Sequence, residues 1–203
     1  VIIVPMGGVL IDQMVKAEPL ARYAQGGGEP TGPIVDNVAT TFDCSWTNAV
    51  TPPESPIFTC PVHAPISQRP FDPTGSHHNL NAYDFTAGQG VPVVAAHDGY
   101  IVSYHNTYAP FEYKDGSYGN NVVLVATDPT TKKQYCTNYA HLLDVSSVVI
   151  SKAGKPETIR AGTEIGFVDT TGYTYGYRGK GKGTHLHFGY QGVNQGTPMV
   201  LPP

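Results

Sequence analysis

From Phe58 onward the chain is broken into short runs of β-branched and aromatic residues separated by turn signals. That rhythm favours short strands over a bundle of long helices. Val91 to Tyr104 reads as two strands around a turn at Asp98-Gly99, and Asn121–Ala126 and Gln134–Ala140 flank the polar stretch 128–133 as a hairpin would. Thr158–Arg160 and Glu164–Val168 suggest a further strand pair around Ala161-Gly162. The richness in turn formers and aromatics, with 23 Gly, 18 Pro and 13 Tyr, supports a mostly β fold.

Within this pattern Thr184-His185-Leu186-His187-Phe188 alternates as a strand does, with Leu186 on one face and both imidazoles on the other. The two histidines are then about 6.5–7 Å apart along the strand. One ring can bind a metal while its neighbour reaches water or substrate, or both can bind one ion. Directly before this strand lies a Gly-, Tyr- and Thr-rich insertion, 170–183, long enough to border a cleft.

Eight histidines occur, and His77 and His78 stand shortly before Asp84. Asp84 sits between Tyr83 and Phe85, where a carboxylate is costly unless it is paired or bound to a metal. Two neutral imidazoles and one carboxylate suit Zn²⁺ and leave a position for water, which the ion acidifies. His141 ends an alternating run and can point into the same cleft. His63, His97 and His105 lack a clustered carboxylate and read as ordinary surface residues.

Only 14% of the residues are charged and the net charge is -4, which argues against a nucleic-acid surface or a polybasic membrane patch. No apolar run approaches the ~20 residues of a transmembrane helix, so a soluble chain is expected. Residues 1–24 begin apolar without a basic start and read poorly as a signal peptide. A Gly- and Pro-rich connector follows at 26–33, and β-compatible residues resume at 38–46. A boundary in the Pro-rich segment 51–56 divides an N-terminal extension, 1–52, from a domain at 53–203. Cys44 and Cys60 bracket a Pro-rich loop, and a disulfide between them is expected, leaving Cys136 alone. Such a bond points to an oxidising, extracytoplasmic compartment.

Six segments, in order, resemble the lysostaphin-type, or LytM-like, zinc metalloendopeptidases that hydrolyse peptide bonds in bacterial peptidoglycan. They are a His-to-Asp motif ending in Asp84-Phe85, Gly90–Val102 (G-x-P-V-x-A-x-x-x-G-x-V), Gly119-Asn120-Asn121-Val122-Val123, Tyr139-Ala140-His141-Leu142, Ile159–Gly166 and Thr184–Phe188. The similarity covers about residues 70–190 and leaves 1–50 unmatched. It implies an all-β fold, an antiparallel sheet of sandwich/barrel-like hybrid type with long loops walling a metal cleft. It also implies one Zn²⁺ held by His78, Asp84 and His187, with His141 and His185 as unligated catalytic histidines that activate water and stabilise the oxyanion.

The usual first ligand stands four positions before the aspartate, where this chain has Leu80. His78, six before, takes that part, and His77 is the alternative. The insertion before His185 is longer than the family's usual loop but keeps Thr171-Gly172. The expected protein is a monomeric, secreted or envelope peptidase acting on peptidoglycan peptides. The competing readings are a non-catalytic module of the same fold that binds cell wall or a partner, and a site in which His185 and His187 both hold the ion.

Overall fold

The computed structural model describes residues 58–128, 132, 134–174, 183–191, 199 and 201. The N-terminal extension, its connector and run at 38–46, the boundary at 51–56 and positions 175–182 of the insertion lie outside the described residues. Eight strands are described: β1 (Ile66–Gln68), β2 (Ala82–Thr86), β3 (Pro92–Val94), β4 (Tyr100–His105), β5 (Asn120–Thr127), β6 (Gln134–Val145), β7 (Glu164–Val168) and β8 (His185–Gln191). All pair antiparallel in one sheet of order β1-β2-β8-β6-β5-β4, with β7 joining β6 to β3. The all-β expectation holds, and no described helix is long and apolar enough to cross a membrane.

Period-two alternation decides which side is core. Leu186, Phe188 and Tyr190 of β8 join Tyr83 and Phe85 of β2 and Tyr139 of β6 in one apolar cluster, over which β3 and β7 bring Val93, Ile165 and Val168. Phe58 lies at its centre, 5.9 Å ring to ring from each of Tyr135, Phe188 and Tyr190. Edge-on packing of that kind adds to simple burial. The one described helix, α1 (Ser147–Lys152), was not expected from the strand-like pattern. It is a short turn capped by Ser146, and it puts Val149 into the core.

The β5–β6 hairpin forms as expected. The strand pair expected around Ala161-Gly162 does not, because Ile159 exchanges backbone hydrogen bonds with Gly99 at the entry to β4, at 2.7 and 3.0 Å. The Asp98 carboxylate secures this by accepting from Ala161 N–H at 2.8 Å and from the Arg160 guanidinium at 2.6 Å. Gly99 is required there, since a Cβ would lie 2.2 Å from Val125 O. Cys60 carries a free thiol, so the expected Cys44–Cys60 bridge is not formed. Cys44 lies outside the described residues.

His97, expected at the surface, is 3% exposed. The ring lies against Phe58 and Tyr135, with Nδ1 2.8 Å from Asp98 O and Nε2 2.8 Å from Thr137 Oγ1. A carbonyl can only accept, so Nδ1 carries the proton and Nε2 accepts from the Thr137 hydroxyl. Nothing in the local sequence signals this burial, which follows from the Asp98 turn folding back over β6. His63, by contrast, is exposed as expected, and His105 is half-buried.

Two loops press together beside β5. Gly119 (φ 64°) and Gly172 (φ 83°) are both left-handed, and a Cβ on Gly119 would lie 2.3 Å from Thr171 C, O and Oγ1. Replacing Gly119 by Ala is therefore expected to cost about 3 kcal/mol or more, read as a large drop in thermal midpoint. Gly88→Ala, with nothing within 4 Å of the new methyl, is expected to change stability by no more than about 0.5 kcal/mol. Equal midpoints for the two variants would refute the close approach.

Acid stability gives a second test. Burial pushes the His97 pKa down to about 4 from its ordinary 6.5, against the opposing pull of Asp98. Between those values the unfolded chain binds the proton that the folded chain refuses. The His97 contribution, about 3 kcal/mol, is therefore complete above pH 6.5 and lost as pH falls towards 4. His97→Gln can make both hydrogen bonds without titrating, so its denaturant-derived stability should fall less steeply over that range. Parallel curves would count against the buried neutral ring.

Candidate metal and catalytic site

The site lies on the sheet face opposite the core. Asp84 of β2 is the register partner of His187 in β8, and His187 on its other side faces Ala140 of β6. Asp84 is 4% exposed and its Oδ1 is a point of convergence: His187 Nδ1 lies at 3.0 Å, His77 Nε2 at 3.2 Å and His185 Nε2 at 3.8 Å. Its Oδ2 accepts from the Gln68 amide at 3.0 Å.

Gln68 was invisible to motif reading, yet it organises one wall of the site. It pairs with Asp84 across β1–β2, and its Oε1 accepts from Ser76 N–H at 2.9 Å and from the Ser76 hydroxyl at 3.1 Å. The loop carrying the histidine pair is thereby tied to the carboxylate. This fixes which histidine enters. A turn closed by Leu80 N–H donating to His77 O at 2.9 Å leaves His77 1% exposed against Asp84, while His78 stands on the turn's outer side and is exposed. The grouped donors are His77, Asp84 and His187, each offering one atom within 4.8 Å of the others, and the expected ligand His78 is not among them.

His141 reaches the same face by a break in strand periodicity. Asn120 pairs with Leu142 but Val122 with Tyr139, so β6 carries one residue more than β5 across this interval. Tyr139 and Leu142 accordingly both point into the core, although three positions apart. His141, at φ 62°, turns instead to the site, its ring 4.8 Å from that of His185 and 5.9 Å from that of His187. Its main chain is held by Tyr118 O, which accepts from His141 N–H at 3.0 Å, and by Asp169 N–H, which donates to His141 O at 2.9 Å. Here β6 leaves β8 for β7.

Protonation follows from the hydrogen bonds. His141 Nδ1 lies 2.7 Å from Thr171 O and His185 Nδ1 lies 2.6 Å from Gly183 O, so each Nδ1 is the donor, and in the neutral His141 ring Nε2 keeps its lone pair. Burial, reinforced by the neighbouring His185 and His187, holds the His141 pKa well below the usual imidazole range. Burial also lowers His187, against the pull of Asp84. For Asp84 burial acts upward but is outweighed by hydrogen bonds from His187 and His77, and the carboxyl stays well below its ordinary value. The site thus combines an ionised carboxylate with the neutral rings of His141 and His187. The Tyr118 ring packs 5.2 Å from His187 and 6.2 Å from His141, forming a wall that motif reading did not single out.

Two imidazoles and a carboxylate, all buried and converging, fit a divalent ion such as zinc in kind and placement. Imidazole nitrogens that face one carboxylate oxygen require a proton or a cation between the lone pairs. The grouped donors include one ring of the His-Leu-His strand, His187, and not His185.

The model of Peptidase family M23 matches residues 78–199, more than half of the chain. Among solved structures, a zinc-containing peptidase from Vibrio cholerae is 22% identical with a TM-score of 0.45, covering 73% of this chain and 41% of its own. Lysostaphin is 23% identical with a TM-score of 0.43, covering 68% and 47%. LytU is 22% identical with a TM-score of 0.43, covering 66% and 78%. The chain therefore spans less than half the length of two of these three proteins. A comparison with curated proteins finds no match. On the family match, whose span includes Asp84, His141, His185 and His187, the chain belongs to Peptidase family M23.

Proposed function

We propose that the protein is a zinc-dependent endopeptidase that hydrolyses peptide bonds in bacterial peptidoglycan, working outside the cytoplasm, with residues 53–203 as its peptidase domain. The observation that carries this is the meeting, on one sheet face, of the donor set His77, Asp84 and His187 with two further imidazoles, His141 and His185, each held through Nδ1 by a backbone carbonyl. The family match supports peptide-bond hydrolysis, and the peptidoglycan substrate rests on the resemblance to lysostaphin-type enzymes.

In this reading His77, Asp84 and His187 hold the ion, and His141 and His185 stand beside it without ligating. Bound zinc would supply Lewis acidity toward the scissile carbonyl and acidify a nearby water. The protein's own part is proton handling. Either free Nε2 can take a proton from water as its oxygen bonds to the carbonyl carbon, then return it to the amide nitrogen as the C–N bond breaks. A ring charged in this way becomes a donor to the developing oxyanion. Burial keeps the His141 ring neutral and its lone pair available, while the same burial lowers its basicity.

Wall lysis in a zymogram on bacterial cell walls should vanish with a chelator and return with added zinc, and mass spectrometry of the fragments should show a new amine and carboxylate at a peptide bond. Lysis that survives metal removal, or none on any wall type, would sink the proposal. His77→Ala should lose bound zinc on dialysis, whereas His78→Ala should keep it. His141→Ala should keep its zinc and lose about 100-fold or more in kcat. Zinc lost from His78→Ala instead would return the ligand to the outer histidine.

A further inference from the structure

Thr171 packs, fully buried, against the irregular turn of β6 that carries His141. We propose that Thr171 is a positioning residue for His141: its backbone carbonyl selects the imidazole tautomer, and its hydroxyl holds open the strand junction from which the ring projects. This rests on the reading of His141 as a catalytic group.

The carbonyl accepts from His141 Nδ1–H at 2.7 Å, which leaves Nε2 as the only lone pair that ring can present. The hydroxyl spends both of its capacities on the same junction. It donates to Leu142 O at 2.8 Å and accepts from Asn120 N–H at 2.9 Å. Asn120 and Leu142 are register partners across β5–β6, so one side-chain oxygen stands between two groups that strands of this kind normally join directly. That insertion coincides with the extra residue in β6.

The position of Thr171 is itself over-determined. A Cβ on Gly172 would lie 2.3 Å from Gly119 N and 2.5 Å from Ser117 O, and Tyr173 N–H donates to Ser117 O at 2.6 Å. The Asn120 amide braces the opposite side, donating to Tyr108 O at 3.0 Å and to Leu143 O at 3.1 Å. A carbonyl held this rigidly can impose one tautomer. Without the hydroxyl, Asn120 N–H and Leu142 O are free to pair directly, which would draw His141 Nδ1 away from Thr171 O.

Long-range proton–nitrogen spectra of the zinc-loaded, histidine-labelled full chain, at mildly alkaline pH, report which nitrogen of each neutral ring carries its proton. The His141 signals are identified by their loss in His141→Ala. The wild type should show His141 protonated at Nδ1. Thr171→Ser should keep that tautomer and a kcat within about threefold, while Thr171→Val should mix the tautomers and lower kcat about 10- to 100-fold with KM and zinc content nearly unchanged. A wild-type His141 protonated at Nε2 would overturn the proposal, and so would a Val variant that loses kcat with its tautomer intact. Should Thr171→Val fail to fold, the wild-type spectrum and Thr171→Ala give the same decision. A wild type that hydrolyses no wall peptide defeats the functional reading alone, because the spectra still decide what Thr171 does.

Discussion

His187 faces Asp84 across one strand boundary and Ala140 across the other, and every polar group of the site is placed relative to that register. Side chains alternate with period two, so a slip of one residue would turn both histidines of β8 into the apolar cluster and bring Leu186 and Phe188 out. What prevents the slip is the other face. Phe188 packs 5.0 Å from Tyr139 and 5.9 Å from Phe58, ring to ring, and burial of aromatics this size contributes kilocalories that an exposed register would forfeit. The chemistry on one face is thus held in place by the packing on the other.

Regular alternation also has a limit, because it cannot put Ala140 and His141 on the same side. The extra residue in β6 removes that limit at the cost of a left-handed histidine, an arrangement that costs about 1–3 kcal/mol when nothing compensates it. Compensation is visible in the hydrogen bonds made by His141 N–H, C=O and Nδ1 to Tyr118, Asp169 and Thr171 on two separate segments. The switch of β6 from β8 to β7 occurs at the same residue, so the kink serves both the topology and the site.

Legibility in the sequence followed this division. Where alternation was regular it could be read: Thr184–Phe188 as a strand with both rings on one face, Asp84 as a carboxylate needing partners, the β5–β6 hairpin. Where one side chain overrides the local pattern it could not. His77 and His78 are adjacent in a turn, and the choice between them is made by Gln68, through Ser76, from a three-residue strand with no motif of its own. His97 looked like a surface residue because its cover comes from Phe58 and Tyr135, far apart in the chain. Ile159 looked like half of a hairpin because nothing local announces that Asp98 captures Ala161 N–H. Sequence spacing reports the period of an element, whereas these contacts depend on which distant element arrives beside it.

Burial is what lets so many imidazoles share a small volume. Protonating His141 would place a buried cation beside His185 and His187, and both the lost hydration and the mutual repulsion oppose it. Asp84 is the counterweight, since its charge is stabilised by the same rings that crowd His141. A more open cleft would relax both effects. The rings would titrate closer to their ordinary range, and the carboxylate would lose the hydrogen bonds that keep it ionised at low pH. A neutral base next to a fixed negative charge is therefore a property of the closed sheet face as a whole, and no single residue on it supplies that combination alone.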